Sequence, residues 1–245
     1  MEKRNDRMIY LKKSVKTLFK HPNVPSIFSL MRYFREWRKY LAPDRNPIAD
    51  KIPWITFSAI DFLKKISHSE MHIFEYGSGG STLFWASRVK EVVSVEHDRL
   101  WYEKIRSELR NHNVTNIKYI LSEAEPDNEF KEKSFENPAD YISKDENFTG
   151  KKFEAYVKQI DQYPDEYFHV VVVDGRARPS CISHALKKVK KGGYLIVDNS
   201  ERDYYLVPFM FKEPFWKVWK FYGPVPYIYH FSETTIIKKD DMVLT

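Results

Sequence analysis

Residues 71–98 read MHIFEYGSGGSTLFWASRVKEVVSVEHD. An apolar pair, Ile73 and Phe74, leads into Glu75. A glycine-rich turn follows, Gly77-Ser78-Gly79-Gly80, and Ser81-Thr82 opens a helix-like segment. A second apolar run, Val92-Val93-Ser94-Val95, ends at Glu96. The order is strand, tight glycine turn, helix, strand, acidic residue, with 19 positions from Gly77 to Glu96. An acidic side chain so placed accepts hydrogen bonds from a ribose diol. The stretch therefore predicts a nucleoside-containing ligand and the place where it lies.

A dinucleotide site wants G-x-G-x-x-G, with helix amides facing a pyrophosphate. Here Thr82 stands at the third glycine position, and the charge of Glu75 would repel phosphate while suiting a cation. The residues Glu75-Tyr76-Gly77-Ser78-Gly79-Gly80-Ser81-Thr82, followed by Glu96-His97-Asp98, resemble the first two motifs of class I methyltransferases that use S-adenosylmethionine (SAM). SAM carries a ribose, a sulfonium and an ammonium, and no phosphate. The resemblance implies a cofactor site of Glu75, Gly77, Ser78, Gly79, Ser81, Thr82, Glu96, His97, Glu123 and Asp174. The plain alternative is an α/β domain whose glycine turn only tightens a strand–helix junction.

Outward from this stretch, 245 residues are enough for one domain with a real core. Cys181 is the only cysteine, which rules out an internal disulfide or a cysteine metal cluster and suits a reducing cytoplasm. No apolar run reaches the length of a membrane span, and Met8-Ile9-Tyr10-Leu11 is too short for a signal peptide. Residues 1–40 hold 11 Lys/Arg against 3 Asp/Glu, a net of +8 in a chain of +6, which leaves −2 for the rest. The basic character belongs to the N-terminal arm. Such an arm can meet nucleic acid or an anionic membrane surface, or pack on its own domain. Loose helical spacing of Ile9, Leu11, Val15, Leu18 and Phe19 allows each reading.

Residues 1–40 read as helical, and 41–47, with Pro43 and Pro47, as a linker. Residues 48–65 read as a helix interrupted near Pro53, with Trp54, Phe57, Ile60 and Leu63 as a core stripe. Five strands at 72–76, 92–96, 117–121, 168–173 and 194–198 alternate with helices near 81–87, 99–111, 151–160 and 180–189. Lys191-Gly192-Gly193 reads as the end of the last helix. Aromatic segments at 216–221 and 229–237 suit the antiparallel hairpin that the resemblance implies. The expected fold is a Rossmann-like, doubly wound, mostly parallel seven-stranded sheet with a C-terminal antiparallel hairpin and an N-terminal helical extension. The division is an arm over 1–47 and a methyltransferase domain over 48–245. Residues 123–150 form a polar insertion, read as a substrate-covering lid or as disorder.

In open α/β sheets, ligands lie beyond the carboxyl ends of the strands. Those ends deliver Glu75, Glu96, Glu123, Asp174 and Asp198 to one edge, which argues for a cation, a metal or ribose hydroxyls. Metal-dependent O-methyltransferases of small molecules have a similar pattern, matched here by Asp174, Asp198 and Asn199. The resemblance implies that these three hold Mg²⁺, which would aim an acceptor hydroxyl at the methyl carbon. The lysine such enzymes usually place three residues after the first aspartate is Ala177 here, flanked by Arg176 and Arg178. Arginine forks at that place suit an anionic acceptor, such as a uronic acid or a nucleotide-linked sugar, or else pair with the acidic insertion. His97 can reach the cofactor or act as a base, and Trp101 can lie by the adenine or in the core. The expectation is O-methylation of a sugar, glycan precursor or other small hydroxylated metabolite by in-line displacement, with Asp174, Arg178 and His97 catalytic. Two alternatives stay open: RNA or protein methylation using the basic arm, and a non-catalytic nucleoside-binding scaffold.

Overall fold

The computed structural model describes residues 5–20, 24–212 and 214–240. Two long helices come first, α1 (Asp6–Lys20) and α2 (Val24–Tyr40), then a single turn α3 (Pro47–Asp50) and α4 (Phe57–Ile66). The repeating unit follows as β1 (His72–Tyr76), α5 (Gly80–Ala86), β2 (Glu91–Glu96), α6 (Arg99–Asn111) and β3 (Ile117–Leu121). The insertion is bounded by a two-residue ladder, β4 (Glu125–Pro126) with β5 (Lys151–Lys152). Then come α7 (Glu154–Val157), β6 (Phe168–Val173), α8 (Arg178–Lys188), β7 (Val189–Asp198), β8 (Trp216–Pro224) and β9 (Phe231–Lys239).

Seven strands make one sheet in the order β3-β2-β1-β6-β7-β9-β8. β7 to β9 and β9 to β8 are antiparallel and the other pairings parallel, so the expected hairpin closes the sheet. The apolar runs of β1, β2 and β6 are buried because helices cover both faces. One face packs Ile73, Val170 and Val172 under Trp37, Phe57, Leu63 and Trp85. The other packs Phe74, Tyr76 and Val173 under Phe153, Tyr156 and Ile182. The strand order reverses between β1 and β6, and the crevice at that switch point is where such sheets bind ligands.

The N-terminal arm packs on its own domain. Trp37 is fully buried and its Nε1 donates to the Ile228 carbonyl at 3.0 Å; the Tyr33 hydroxyl donates to Asp61 at 2.7 Å. The helical expectation for residues 1–4 and 21–23 lies outside the described residues. Trp37→Ala is expected to lower the free energy of unfolding by about 3–5 kcal/mol, as for a large buried aromatic. A urea titration showing a loss below about 1 kcal/mol would mean the arm is not part of the fold.

Three expectations need correction. Trp54 is 47 % exposed, because the break after α3 runs to Thr56 and turns it away from the stripe of Phe57, Ile60 and Leu63. Residues 151–160 are not one helix: β5 pairs back across the insertion, and one helical turn passes into a 3₁₀ segment (Lys158–Gln162). Gly192-Gly193 do not end α8. They lie inside β7, where a Cβ on Gly193 would come within 2.7 Å of the His169 carbonyl oxygen. The insertion carries the Lys133–Asp127 pair at 2.9 Å, the Arg176–Asp145 pair at 2.8 Å and buried Ile142.

Candidate cofactor and acceptor site

The glycine turn leaves β1 where three strands are laced together. Gly77 N–H donates to the Val95 carbonyl at 2.9 Å and Asp174 N–H to the Tyr76 carbonyl at 3.0 Å. Gly77 has φ +87°, and a Cβ there would meet the Asp174 carbonyl oxygen at 2.9 Å. Only glycine lets the turn press this closely on the end of β6. Gly80 opens α5 against the preceding segment, where a Cβ would lie 2.1 Å from the Pro47 carbonyl oxygen. Thr82, at the odd position of the glycine pattern, has a specific task. Its hydroxyl accepts from Gly79 N–H at 2.9 Å and donates to Glu75 at 2.6 Å.

Glu75 is fully buried beneath this turn. Its Oε2 accepts from the Thr82 and Ser94 hydroxyls, at 2.6 and 2.8 Å. Burial raises its carboxyl to about 7, against the lowering effect of the Ser81, Thr82 and Ser94 hydroxyls. A folded value above the ordinary 4.5 favours the protonated form, so this contribution to stability is present at low pH and lost as pH rises through about 7. At about 1.4 kcal/mol per pH unit, the loss is about 3 kcal/mol. Glu75→Gln keeps an acceptor for the two hydroxyls and cannot ionise. Between about pH 5 and pH 8, wild type is expected to lose about 3 kcal/mol more than the variant in urea titrations. Parallel curves would show that Glu75 stays ionised.

Glu96 ends β2 and is 2 % exposed. Its Oε2 accepts from the backbone N–H and the hydroxyl of Ser78 at 3.0 and 2.8 Å. Oε1 accepts from the N–H groups of His97 and Asp98 at 2.7 and 2.9 Å. Burial alone would raise this carboxyl; the His97 ring and the donors from Asp98 and Ser78 outweigh it and bring it down to about 2. His97 Nδ1 lies 2.9 Å from Glu96 Oε1, out of line for a hydrogen bond, and the ring packs among Phe148, Phe153 and Tyr156. Trp101 serves the turn directly: its Nε1 donates to the Ser78 carbonyl at 2.8 Å. Ser81 is half-buried, one position into α5. Glu123 points to the surface and pairs with Arg99.

The expected magnesium site is not assembled, because Arg178 occupies its centre. Arg178 is 5 % exposed. Its Nη2 donates to Asp174 Oδ1 at 3.0 Å and Asn199 Oδ1 at 3.2 Å, its Nε to the Gly175 carbonyl at 3.0 Å, and its Nη1 to the Asp198 carbonyl. The Asp198 carboxylate turns instead to the Thr234 hydroxyl at 2.7 Å, and Asn199 Nδ2 donates to Ser232 at 3.0 Å. The guanidinium supplies the positive charge that these oxygens need. Among the described residues, no group of three or more His, Cys, Asp or Glu is arranged to hold a metal.

Beside this cluster lies a cavity of about 420 Å³ at the ends of β6 and β7, under the insertion. Lys144, Arg176 and Arg202 give it cationic walls, Arg176 paired at 2.8 Å with Asp145 of the same lining, and Phe135, Tyr204 and Tyr205 give it aromatic ones. Arg178 stacks on the Tyr205 ring at 5.0 Å, and Arg202 Nη1 donates to the Tyr205 hydroxyl at 2.8 Å. The sequence reading missed Arg202, Tyr204 and Tyr205 as site residues. Their position just after the fifth strand end was the available signal.

No family model and no curated protein matches the sequence. Solved structures do match. An O-methyltransferase from Bacillus cereus in complex with SAH superposes with a TM-score of 0.54 at 15% identity, over 84% of this chain and 96% of that one. A Corynebacterium glutamicum protein gives 0.52 at 9% identity, over 88% and 99%. A methyltransferase from Geobacter sulfurreducens gives 0.50 at 12% identity, over 84% and 95%. This chain has the class I methyltransferase fold. In the methyltransferase fold the glycine turn and the strand ends just described lie at the switch-point crevice, and the cationic cavity adjoins it. No helix of the described residues is long and apolar enough to cross a membrane.

Proposed function

We propose that the chain transfers a methyl group from SAM to a hydroxyl of an anionic sugar, glycan precursor or similar small metabolite. The carrying observation is Glu96. It is a carboxylate held ionised at the end of β2, tied to the glycine turn, in a fold whose crevice opens onto a cationic, aromatic cavity. Its four acceptor positions are filled by protein donors, so a ribose diol must displace one. The Ser78 hydroxyl is the one that can leave, because Tyr119 Oη, 2.7 Å away, offers it another partner. Glu96 would then hold the ribose, with Gly77, Ser78 and Gly79 lining the turn. Glu75, Ser81 and Thr82 support that turn from beneath. When bound, the cofactor supplies a methyl carbon on a sulfonium.

The remaining roles belong to this chain's own side chains. Asp174 is partly exposed at the crevice, with Oδ1 fixed by Arg178. Burial raises its carboxyl, with Arg178 and Arg176 opposing, which suits it to accept the acceptor's hydroxyl proton. Arg178 is a positioning residue, its donors aimed inward. His97, fenced by aromatic rings, positions Glu96 and lines the cofactor side. The insertion covers the acceptor.

Transfer of a labelled methyl group to paired acceptors tests the reading, a uronic acid against its neutral parent sugar. The anionic member is expected to be favoured at least about tenfold in kcat/KM, in line with one charge-assisted contact. Arg202→Ala should raise the acceptor KM and leave cofactor affinity unchanged. Equal use of both acceptors would contradict the anionic assignment, and transfer to neither would contradict the acceptor class.

A further inference from the structure

Helix α1 buries one face and carries an apolar stripe on the other. Tyr10 and Thr17 face inward, with the Tyr10 hydroxyl donating to the Leu30 carbonyl at 2.7 Å and its ring packed on Phe34, Trp37 and Phe231. At 100° per residue, Met8, Leu11, Val15 and Phe19 fall on the opposite side. They are 52, 64, 45 and 85 % exposed. Monomeric proteins rarely leave such a row of large apolar side chains in water. Met31 of α2 is exposed next to it. A groove of about 420 Å³ runs between the two helices, lined by Leu11, Leu18, Leu30, Met31 and Phe34. Its wall is almost wholly apolar.

The rim of this face is cationic. Arg7 flanks the stripe on one side and Lys12 and Lys16 on the other, all exposed and none in an ion pair among the described residues. Arg35 and Lys39 extend the charge along α2.

We propose that the outer face of α1, with the groove beside α2, docks on an anionic lipid bilayer. The apolar stripe would enter the boundary between headgroups and acyl chains, while Arg7, Lys12 and Lys16 meet lipid phosphates. Charge decides between occupants. A second copy of this face would bring like charges together around the stripe. A nucleic acid would engage the cations and leave Met8, Leu11, Val15 and Phe19 in water. A bilayer satisfies both features at once. The inference does not depend on the proposed reaction.

The test is co-sedimentation of the full chain with vesicles of phosphatidylcholine alone or mixed with phosphatidylserine. Binding is expected to the mixed vesicles and to weaken with added salt. Leu11→Ser with Phe19→Ser should reduce affinity at least about tenfold, since two inserted side chains are lost. Lys12→Glu with Lys16→Glu should reduce it at least about fivefold per charge. Both double variants alter exposed positions and should keep the thermal midpoint of wild type. A chain that stays in the supernatant with mixed vesicles overturns the proposal, as does binding that both variants leave unchanged. Loss of a solution dimer in Leu11→Ser with Phe19→Ser, without vesicle binding, would assign the face to a second copy instead.

Discussion

Arg178→Met is expected to destabilise the protein by about 3 kcal/mol and to abolish methyl transfer. Removing one partner of a buried ion pair costs about 3–5 kcal/mol, because the other charge and its hydrogen-bonding neighbours are left without compensation. Here the loss strands Asp174, the Asn199 amide oxygen and the carbonyls of Gly175 and Asp198. Asp174 keeps 30 % of its side chain in solvent and can be partly rehydrated, which places the effect at the lower end of that range. The deficit should shrink as pH falls, since a protonated Asp174 no longer needs the cation. Urea titrations at neutral and acidic pH measure both effects. A stability unchanged at neutral pH would show that the cluster does not hold the ends of β6 and β7 together.

Glu96→Ala is expected to lower cofactor affinity at least about tenfold, corresponding to about 1.5 kcal/mol for the one charge-assisted hydrogen bond from a ribose diol that the displaced Ser78 hydroxyl makes room for. The same change frees the N–H groups of Ser78, His97 and Asp98, so the turn and the start of α6 should loosen too. Ser78→Ala separates the two effects. It removes only the hydroxyl that the diol must displace, and should bind the cofactor as tightly as wild type or more so. If Ser78→Ala weakens binding as much as Glu96→Ala, the serine itself is the ligand group.

The sheet was legible because its strands are short β-branched runs closed by acidic residues, a pattern set by burial on both faces. β1, β3 and β6 match the sequence reading residue for residue. What escaped depends on contacts between segments distant in sequence. Lys151 and Lys152 pair with Pro126 and Glu125 across the insertion, and no local periodicity announces that ladder. Trp54 reads as core by its spacing, yet the backbone turns before it. The acidic strand ends were placed correctly at one edge, but their direction was not. Glu75 points under the turn because Ser94 stands in register beside it and Thr82 lies above. Arg178 opens α8 only four residues after Asp174, close enough for its guanidinium to fold back across the turn onto the carboxylate, and that was the clue against a metal.

Calorimetric titration of the wild-type chain with S-adenosylhomocysteine addresses the cofactor most directly. Saturable binding of one ligand per chain is the predicted result. No heat and no shift in thermal midpoint at high ligand would mean that the Gly77–Thr82 turn only joins a strand to a helix, and that the nucleoside site does not exist.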